Sequence, residues 1–443
     1  MRGKYFLETY GCQMNYHDSE RLSGLLEAEG YERTADERAA DVAVINTCSV
    51  RERAEEKLYT RLGEWRELAA ERGTSPIIAV TGCVAQQEGE SLLRRDSSID
   101  VILGTQSLKS LPRLLEAARE RQTLQIDIAP HDDVSFPLGL ARHSDPVRAW
   151  VTIIEGCNEF CSFCVVPYTR GHERMRPVAD VLADVRSAAD SGRVEVQLLG
   201  QIVNHYQAPD DSLCDFPALL ERVSAVPGIR RVRFASPHPR HVSDRLMQVI
   251  RDTPQVCKHL HLPAQSGSDR VLKAMRRRYT RESYLEIIGR LRETVPGIAL
   301  STDMIVGFPA ESDTDFELSM DLLRQVRYHS MYSFKYSSRP NTLASKRMSD
   351  DVPEAVKTER ILALQDLQRT VQGELFAAMV DTPAEVLVDG VSRRRGWEMT
   401  GRTTGNSVVN FPGDATLMGR LVPVTITGHG PNSLRGVLAG AQC

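Results

Sequence analysis

Three cysteines recur at nearly equal spacing in the amino-terminal part of the chain, and each follows a short apolar run. The runs are "KYFLET", "DVAVINTC" and "PIIAVTGC", and the cysteines are Cys12, Cys48 and Cys83. Cys12 precedes Cys48 by 36 residues, and Cys48 precedes Cys83 by 35 residues. A strand–helix–strand unit needs about 30 residues or more, so each interval accommodates one such unit.

Amphipathic segments separate these apolar runs. The first is a predicted helix from Asp18, closed by Gly30, and "VRERAEEKLYTRL" and "AQQEGESLLRR" follow the second and third runs; a fourth run, "IDVILGTQ", leads into another helix. This alternation indicates a parallel sheet with helical crossovers. The carboxyl ends of parallel strands share one edge, where ligands bind. We therefore expect the three cysteines to follow strand ends at one edge. The alternative is three ordinary core thiols.

The composition limits what these cysteines can do. The chain has 443 residues, nine of them cysteine, and a formal net charge of −4. No apolar run reaches the length of a bilayer-spanning helix, and the start "MRGKYFLETY" lacks a signal-peptide core, so we expect a cytoplasmic protein with no membrane partner. Thiols stay reduced there, so grouped cysteines suggest metal rather than disulfides. A nucleic-acid partner would have to bind to local basic patches.

A second alternation of strands and helices follows a break in the pattern. Residues 126–146 are rich in Pro and Asp and predict a linker. Beyond it, six apolar runs separated mostly by helical segments predict an incomplete parallel α/β barrel of six units, with active loops at the strand carboxyl ends. The predicted strands are Trp150–Ile154, Val194–Leu199, Val232–Ala235, His259–Leu262, Leu300–Val306 and Met331–Tyr336.

The rest of the chain predicts one long helix and a small all-β unit. The helix follows Val352, with Pro353 in its first turn. From about Ala378, short alternating runs separated by Gly and Asn turns predict a small β-barrel. We thus expect an α/β domain over 1–125, a linker over 126–146, the barrel with its connecting helix over 147–377, and the small β-barrel over 378–443.

The densest cysteine group lies after the first predicted barrel strand. In "EGCNEFCSFCVVPYTRG", Cys157, Cys161 and Cys164 have the spacing C-x3-C-x2-C. Three thiolates in one short loop can hold a cubane cluster and leave one iron open to an exchangeable ligand. Zinc is the alternative, but closed zinc sites use four ligands, and no fourth Cys or His follows at knuckle spacing. The other cysteines, Cys214, Cys257 and Cys443, fit no ligand pattern.

This spacing after the first strand of a partial barrel resembles the radical S-adenosylmethionine superfamily. The whole chain resembles its methylthiotransferases, which join a three-cysteine amino-terminal domain, the radical core and a small RNA-binding β-barrel called TRAM. The strings "TYGCQMN", "NTCSVRERAEEK", "TGCVAQ", "CSFCVVPYTRG", "SPHP", "HLPAQSGS" and "STDMIVGFP" resemble the MiaB-like branch, which modifies isopentenyl-type adenosine in tRNA. The chain departs from the pattern at Met175, Ile202, Ala310 and Ser312, where the family commonly has Ser, Asn, Gly and Thr.

The resemblance implies an enzyme with two 4Fe-4S clusters and S-adenosylmethionine. The cluster on Cys157, Cys161 and Cys164 would bind S-adenosylmethionine at its open iron. The auxiliary cluster on Cys12, Cys48 and Cys83 would carry the sulfur to be methylated. The methylthio group would go to C2 of N6-dimethylallyladenosine beside the tRNA anticodon, at position 37. An electron donor and a sulfur source are then required, and nothing demands more than a monomer.

Other functions remain open at this point. Within the class, the substrate could be threonylcarbamoyl-adenosine in tRNA or a ribosomal protein. An RNA-binding protein with structural iron–sulfur clusters is an alternative of another class, and a cytosolic zinc protein is a third.

The resemblance also assigns contacts to the cofactor and to RNA. Gly200 and Gln201 would hold the amino-acid end of S-adenosylmethionine. Further contacts would come from Gln265, Ser266, Ile305 and Gly307, the last two near the adenine. Each has an alternative role in a turn or core, and His259 and His261 are expected to be satisfied core or rim histidines. Phosphate contacts are expected from Arg393, Arg394, Arg395 and Arg402, and Arg276, Arg277 and Arg278 are expected to add to the groove; a solvated arginine run is the alternative.

Overall fold

The computed structural model describes residues 2–49, 52–121, 123–129, 141–393 and 395–440. The chain forms two compact units. Within the described ranges, no helix combines the length and apolar character needed to cross a membrane. The first unit comprises Met1–Ser144, Trp150–Asn158 and Val165–Arg176, and the second comprises Asp145–Ala149, Glu159–Cys164 and Pro177–Cys443.

The first unit is built on a six-stranded sheet in which every neighbouring pair of strands is parallel. Its strand order is β2-β1-β3-β4-β5-β6. The strands are β1 (Gly3–Tyr10), β2 (Tyr31–Arg33), β3 (Val42–Thr47), β4 (Ile77–Gly82), β5 (Val101–Leu103) and β6 (Gln125–Asp127). The helices are α1 (Gln13–Ala28), α2 (Glu52–Arg72), α3 (Cys83–Glu88), α4 (Leu92–Arg95) and α5 (Leu111–Arg121).

Both faces of this sheet are covered by helices. On one face, Leu22 of α1 and Leu115 of α5 pack in the same cluster as Val44 of β3. On the other face, Trp65 of α2 packs in a cluster with Ile45, the neighbouring residue of the same strand. A strand buried on both faces needs apolar side chains at successive positions, which explains the continuous apolar runs in the sequence. The predicted parallel α/β domain is confirmed.

The structure differs from the sequence prediction at three places in this unit. Helix α1 begins at Gln13 rather than Asp18, so Cys12 caps a helix instead of lying in a loop. Strands β2 and β6 were not predicted, because three residues carry too little alternation to be recognised. Strand β6 ends at Asp127, two residues inside the predicted linker. Residues 130–140 of that linker lie outside the described residues.

The carboxyl end of the predicted linker is held by Glu20 of helix α1. The backbone N–H groups of Arg142 and Ser144 donate to the carbonyl and the side chain of Glu20, at 3.0 and 2.8 Å. His143 also contacts the Glu20 carboxylate, at 3.1 Å.

Strand β7 (Arg148–Thr152) follows the linker; it begins in the second unit and ends in the first. The next three elements belong to the first unit. They are β8 (Ile154–Glu155), α6 (Val166–Thr169) and β9 (Arg174–Met175), and β9 pairs antiparallel with β8.

The second unit contains the predicted partial barrel. Its strands form two three-stranded sheets of order β11-β10-β7 and β12-β13-β14, and an isolated bridge joins Val232 of the first sheet to Val256, which precedes the second. Each predicted strand lies within two residues of the observed one. The strands are β10 (Glu195–Leu199), β11 (Arg231–Phe234), β12 (His259–His261), β13 (Ala299–Val306) and β14 (Ser330–Lys335). The helices are α7 (Val178–Asp190), α8 (Phe216–Ser224), α9 (Asp244–Asp252), α10 (Asp269–Ala274), α11 (Arg281–Thr294), α12 (Asp313–Val326) and α13 (Leu343–Arg347).

The long helix and the small barrel complete the second unit. Helix α14 (Glu354–Ala377) has Pro353 as its N-cap. The carboxy-terminal strands then close into a five-stranded barrel of order β15-β16-β17-β19-β18, which confirms the predicted small β-barrel. This barrel contacts strand β11, because Arg233 donates to the carbonyl of Thr403, the last residue of β16, at 2.7 Å. The strands are β15 (Pro383–Val391), β16 (Glu398–Thr403), β17 (Val408–Pro412), β18 (Leu421–His429) and β19 (Leu434–Leu438).

Candidate active site

Three adjacent strand ends of the first unit bring Cys12, Cys48 and Cys83 to one edge of its sheet. Strands β1, β3 and β4 are neighbours, and their last residues pair in register, Tyr10 with Thr47 and Thr47 with Gly82. Cys12 follows β1 as the N-cap of α1, Cys48 directly follows β3, and Cys83 is the first residue of α3. We call these three cysteines the auxiliary site.

The thiols of the auxiliary site contact one another. Cys48 is 1% exposed and hydrogen-bonds to both Cys12 and Cys83, which raises its own pKa. Contact with the Cys48 thiol lowers the pKa of Cys12 to about 6 and that of Cys83 to about 7. The positive charge of Arg170 lowers both pKa values further. Both shifts favour the thiolate form of Cys12 and Cys83, which is the form that binds metal.

Arg170 is a buried cation within the first unit that sequence reasoning missed. It is 5% exposed, and its guanidinium pairs with the Asp18 carboxylate of α1 at 2.6 Å. The Gln106 side chain donates to the Arg170 carbonyl at 2.9 Å. Arg170 belongs to the string "CVVPYTRG", but residue type alone does not distinguish a buried arginine from a solvated one.

Two buried asparagines connect the strand ends that carry the cysteines. Asn15 of α1 donates to the side-chain oxygen of Asn46 on β3, and Asn46 donates to the Asn15 carbonyl, both at 2.8 Å. Asn46 also donates to Ser19 at 2.9 Å, and the Cys12 sulfur lies 3.3 Å from the Asn15 side-chain oxygen. Because both asparagines are fully buried, each unmade hydrogen bond would cost about 1–3 kcal/mol. In the sequence, the only sign of these two residues was their closeness to the cysteines: Asn15 lies within three residues of Cys12, and Asn46 lies within three residues of Cys48.

A glycine allows Cys12 and Cys48 to approach each other. Gly11 has φ +125°, and a Cβ placed there would lie 2.1 Å from the Cβ of Cys48. We expect Gly11→Ala to lower the free energy of unfolding by about 2–5 kcal/mol, from left-handed strain together with overpacking. It should also reduce the iron bound by the purified full chain, because Cys48 must move.

Gly30→Ala is the matched control for that variant. Gly30 also has a positive φ, +84°, but no atom lies within 4 Å of the position its Cβ would take. Only the strain of about 1–2 kcal/mol should appear, with normal iron content. Chemical denaturation and iron determination on both variants check this. Equal iron content and equal stability in the two variants would contradict the packing argument.

The donor set of the auxiliary site fits an iron–sulfur cluster. All three groups are thiols, and the cysteines of the described residues are free rather than disulfide-bonded. In the part of the chain that the structure describes, no three His, Cys, Asp or Glu side chains are arranged to hold a single metal ion. The ligands of a cubane cluster need not point at a single atom, because each thiolate binds a different iron atom.

The second cysteine group lies in the segment that we call the radical loop, which carries Cys157, Cys161 and Cys164. Cys157 belongs to the first unit, and the other two belong to the second. Within the second unit, Cys164 donates its N–H to the Cys161 carbonyl at 3.0 Å, which closes a turn. The Ser162 hydroxyl donates to the Ala274 carbonyl at 2.8 Å and holds this turn against the end of α10.

Three of the residues predicted to contact the cofactor lie at strand ends of the partial barrel. Gly200 and Gln201 directly follow β10, and the side-chain oxygen of Gln201 is buried with no hydrogen-bond partner within the described residues. Gln265 has φ +67°, donates to the Asp303 carbonyl at 2.8 Å and accepts from Ile305 at 2.9 Å. An unsatisfied buried amide oxygen is costly unless a ligand or water pairs with it.

Two further predicted contacts have different surroundings. Ser266 is buried, and its hydroxyl lies 3.4 Å from that of Ser319 on α12, so it already has a partner within the fold. Ile305 on β13 packs in a cluster that also contains Phe163 of the radical loop. Ile305 therefore lies beside the turn that carries Cys161 and Cys164.

The segment "GFPAES" adopts backbone conformations that favour glycine at two positions. Gly307 has φ +70°, and a Cβ there would lie 2.3 Å from Cγ of Lys357. Ala310, where the family commonly has glycine, has φ +62°. An alanine in this region costs about 1–2 kcal/mol relative to glycine. Ser312 caps α12 through a capping box, a role that threonine can also perform.

The two barrel histidines have partners within the fold. His259 and His261 on β12 each lie 2.9 Å from the Ser301 hydroxyl of β13. They are satisfied rim histidines, as predicted.

The carboxy-terminal barrel presents cations and an aromatic ring in the turn between β15 and β16. Arg393 is exposed, and Arg395 is exposed and pairs with Glu398 at 3.0 Å. Trp397 is 60% exposed and lies 5.7 Å from the Arg395 guanidinium. Sequence reasoning missed Trp397, although a tryptophan beside an arginine run is typical of single-stranded RNA binding. Arg394 lies outside the described residues.

Other arginines considered for RNA are already engaged within the second unit. Arg402 lies 3.5 Å from the Asp389 carboxylate, and burial lowers its pKa. Arg277 is 6% exposed, so the expectation that it adds to an RNA groove is wrong. Arg278 is exposed and lies 3.7 Å from the Glu159 carboxylate.

Family models match three segments of the chain. The model described as uncharacterized protein family UPF0004 matches residues 4–104, which include the auxiliary cysteines. The radical SAM superfamily model matches residues 151–323, and the TRAM domain model matches residues 378–439.

Curated relatives match nearly the whole chain. The tRNA-2-methylthio-N(6)-dimethylallyladenosine synthase of Alkalilimnicola ehrlichii is 44% identical over 99% of this chain and 98% of its own length. The synthase of Methylococcus capsulatus is also 44% identical, over 99% and 96%. The chain belongs to this synthase family. The synthase of Thermoanaerobacter pseudethanolicus is 45% identical over 96% of this chain and 90% of its own length.

Solved structures with low sequence identity to this synthase-family chain share its fold. The radical S-adenosylmethionine methyltransferase TsrM of Kitasatospora setae gives a TM-score of 0.58 at 16% identity, over 78% of this chain and 77% of that chain. The cobalamin-dependent radical enzyme OxsB gives a TM-score of 0.52 at 12% identity, over 83% and 57%. Both likenesses concern the fold alone.

Proposed function

We propose that this chain adds a methylthio group to C2 of N6-dimethylallyladenosine at position 37 of tRNA. It is a radical SAM enzyme that uses iron–sulfur chemistry and S-adenosylmethionine. The observation that carries the proposal is the 44% identity to the synthases over 99% of the chain. The meeting of Cys12, Cys48 and Cys83 at one sheet edge supports it, because three thiols at one edge can hold a cluster that keeps a coordination position open.

The radical loop would hold one cluster and bind the cofactor. Cys157, Cys161 and Cys164 would be its three ligands. A reduced cluster with an open iron, when bound, supplies the electron that breaks a carbon–sulfur bond of S-adenosylmethionine and so starts hydrogen removal from C2. The chain's own residues would orient the cofactor beside that loop. We assign this role to Gly200, Gln201, Gln265, Ser266, Ile305 and Gly307, of which Gln201 offers a buried acceptor without a partner within the described residues.

The auxiliary site would hold a second 4Fe-4S cluster and, with it, the sulfur to be transferred. Three cysteine ligands rather than four leave a coordination position for an exchangeable sulfur. The buried Arg170 places a positive charge beside these thiols, and Asn15 and Asn46 hold the strand ends together. The reaction also requires an external electron donor and a sulfur source. Both cluster sites and the RNA-binding barrel belong to one chain, so we propose a monomer that works in the cytoplasm, where its tRNA substrate is.

We assign tRNA binding to the turn between β15 and β16. The exposed Arg393, its neighbours Arg394 and Arg395, and Trp397 would contact the RNA, whereas Arg402 would contribute less because it pairs with Asp389. Arginine side chains neutralise phosphates, and an exposed indole can stack on an unpaired base. The target adenine must leave its stack to react, so an anticodon loop suits this turn better than a duplex.

Trp397→Ala is expected to weaken binding of full-length tRNA by about 1–3 kcal/mol, which is about 5- to 150-fold in Kd. Trp397→Phe should retain most of the affinity, because a phenyl ring still stacks. The control is Leu213→Ala, which removes an 81% exposed apolar side chain elsewhere in the second unit. Filter-binding or fluorescence titration at fixed salt measures the change. Unaltered affinity in Trp397→Ala would exclude base stacking at this position.

Nucleoside analysis tests the proposed substrate. In cells that lack this gene, the tRNA should contain N6-dimethylallyladenosine without its 2-methylthio group, and the intact gene should restore it. Threonylcarbamoyl-adenosine and its derivatives, together with the masses of the ribosomal proteins, should not change. Persistence of the methylthio group on dimethylallyladenosine would exclude this substrate, and a change confined to either other class would identify that one instead.

A further inference from the structure

The guanidinium of Arg277 lies beside a cysteine of the radical loop. Arg277 is 6% exposed, whereas its neighbours Arg276 and Arg278 are exposed. Both neighbours have a positive φ, 59° and 57°. Non-glycine residues adopt this backbone at a cost of about 1–3 kcal/mol each, and such strain is typical of functional positions. The two strained residues flank the one arginine of the three that is buried.

The contacts of Arg277 hold its guanidinium in one orientation. Its Nη1 donates to the Sγ of Cys161 at 3.4 Å, its Nε donates to the Tyr279 hydroxyl at 3.0 Å, and its Nη2 donates to the Pro263 carbonyl at 3.2 Å. The Tyr279 ring centroid lies 5.2 Å from the guanidinium, and the Tyr279 hydroxyl donates to the Ala264 carbonyl at 2.8 Å. Because the fork is planar and rigid, these contacts direct one N–H group at the sulfur.

The charge of Arg277 is balanced in an unusual way. A buried guanidinium normally faces a carboxylate. In the part of the chain that the structure describes, no carboxylate lies within ion-pair distance of Arg277, and its acidic neighbours are the Tyr279 hydroxyl and the Cys161 thiol. The side-chain sulfur that faces the Arg277 guanidinium is therefore that of Cys161, a ligand of the proposed cluster. As a cluster ligand, Cys161 is a thiolate, and the pair is then neutralised.

We propose that Arg277 is a positioning residue for the cluster of the radical loop and raises the reduction potential of that cluster. This inference depends on the proposed role of Cys161 as a ligand. Reduction adds one negative charge to the cluster. A fixed N–H···S hydrogen bond and a nearby positive charge stabilise the reduced form more than the oxidised form. The chain would in this way allow a cellular electron donor to reduce the cluster more easily.

The midpoint potential of the cluster tests the proposal directly. The parent is the full chain with Cys12, Cys48 and Cys83 replaced by alanine, reconstituted with iron and sulfide, so that one cluster gives the EPR signal. Arg277→Gln should shift the midpoint potential to a more negative value, and Arg277→Lys should shift it less because the charge remains. Arg276→Gln is the matched control, since it removes an exposed charge one residue away. Its potential should equal that of the parent.

Each outcome decides the question. An intact cluster with unchanged or more positive potential in Arg277→Gln would overturn the proposal. If Arg277→Gln binds no iron while Arg277→Lys binds the parent's amount, the potential of Arg277→Lys decides: a value more negative than the parent's supports the proposal, and an equal or more positive value overturns it. If both lose iron while Arg276→Gln keeps it, the side chain serves folding alone and the proposal fails. A parent whose iron content is unaffected by Cys161→Ala would instead refute the cluster assignment of the proposed function.

Discussion

Cys12→Ala is expected to stop methylthiolation of tRNA while cleavage of S-adenosylmethionine continues. The auxiliary site would lose one of its three thiols, the one that caps α1 and contacts Cys48. The radical loop keeps Cys157, Cys161 and Cys164, so 5′-deoxyadenosine should still form when a reductant is supplied. Iron should fall from about eight to about four atoms per chain, because one of two cubane clusters is lost.

The measurement follows three quantities in the same anaerobic preparation: iron and sulfide content, 5′-deoxyadenosine, and 2-methylthio nucleosides in digested tRNA. Cys214→Ala is the control, because Cys214 is fully buried in the second unit and belongs to neither cysteine group. It should retain about eight irons per chain and full modification. Normal methylthiolation by Cys12→Ala would show that Cys12 is an ordinary thiol at a strand end.

Cys161→Ala is expected to abolish both 5′-deoxyadenosine formation and methylthiolation. Its sulfur accepts the hydrogen bond from the buried Arg277, and its turn is held against α10 through Ser162. Without this ligand the radical loop should lose its cluster, whereas the auxiliary site should keep about four irons per chain. Binding of tRNA should be unaffected, because the proposed RNA contacts lie on the carboxy-terminal barrel.

This variant separates an enzyme from an RNA-binding protein with structural clusters. A binding protein would leave tRNA modification in cells unchanged as long as the variant folds. Circular dichroism and tRNA affinity establish folding, and Cys257→Ala, which removes another buried thiol of the second unit, is the control. Zinc without iron in a preparation of the unsubstituted chain would contradict both cluster assignments.

The position of the cysteines along the sheet was accessible from the sequence. An apolar run followed by a cysteine and an amphipathic helix, repeated at intervals of one strand–helix unit, predicts neighbouring parallel strands. In a parallel sheet, the residues after such strands lie at one edge whatever the details of packing. The register of Tyr10, Thr47 and Gly82 follows this rule. The six barrel strands and the small β-barrel were predictable for the same reason, because periodicity is a local property.

The partners of buried polar residues were not accessible in this way. The strings "CVVPYTRG" and "MRRRYT" contain Arg170 and Arg277, but nothing local separates them from the exposed Arg276. Burial of an arginine depends on whether distant residues supply compensating charge and hydrogen bonds, as Asp18 does for Arg170. The same holds for Asn15 and Asn46, whose hydrogen bonds join residues 31 positions apart.

By itself, the sequence determined the parallel α/β domain, the partial barrel, the small β-barrel and the two cysteine groups. Only the tertiary structure decided that Cys12 caps a helix and that the missing side chain of Gly11 leaves room for Cys48. It also decided that Arg277, among the three consecutive arginines, contacts Cys161. The physical reason lies in the range of the interactions. Apolar periodicity and ligand spacing depend only on residues that are close together in the sequence. Close approach, charge compensation and hydrogen-bond satisfaction arise only where segments remote in the chain are brought together.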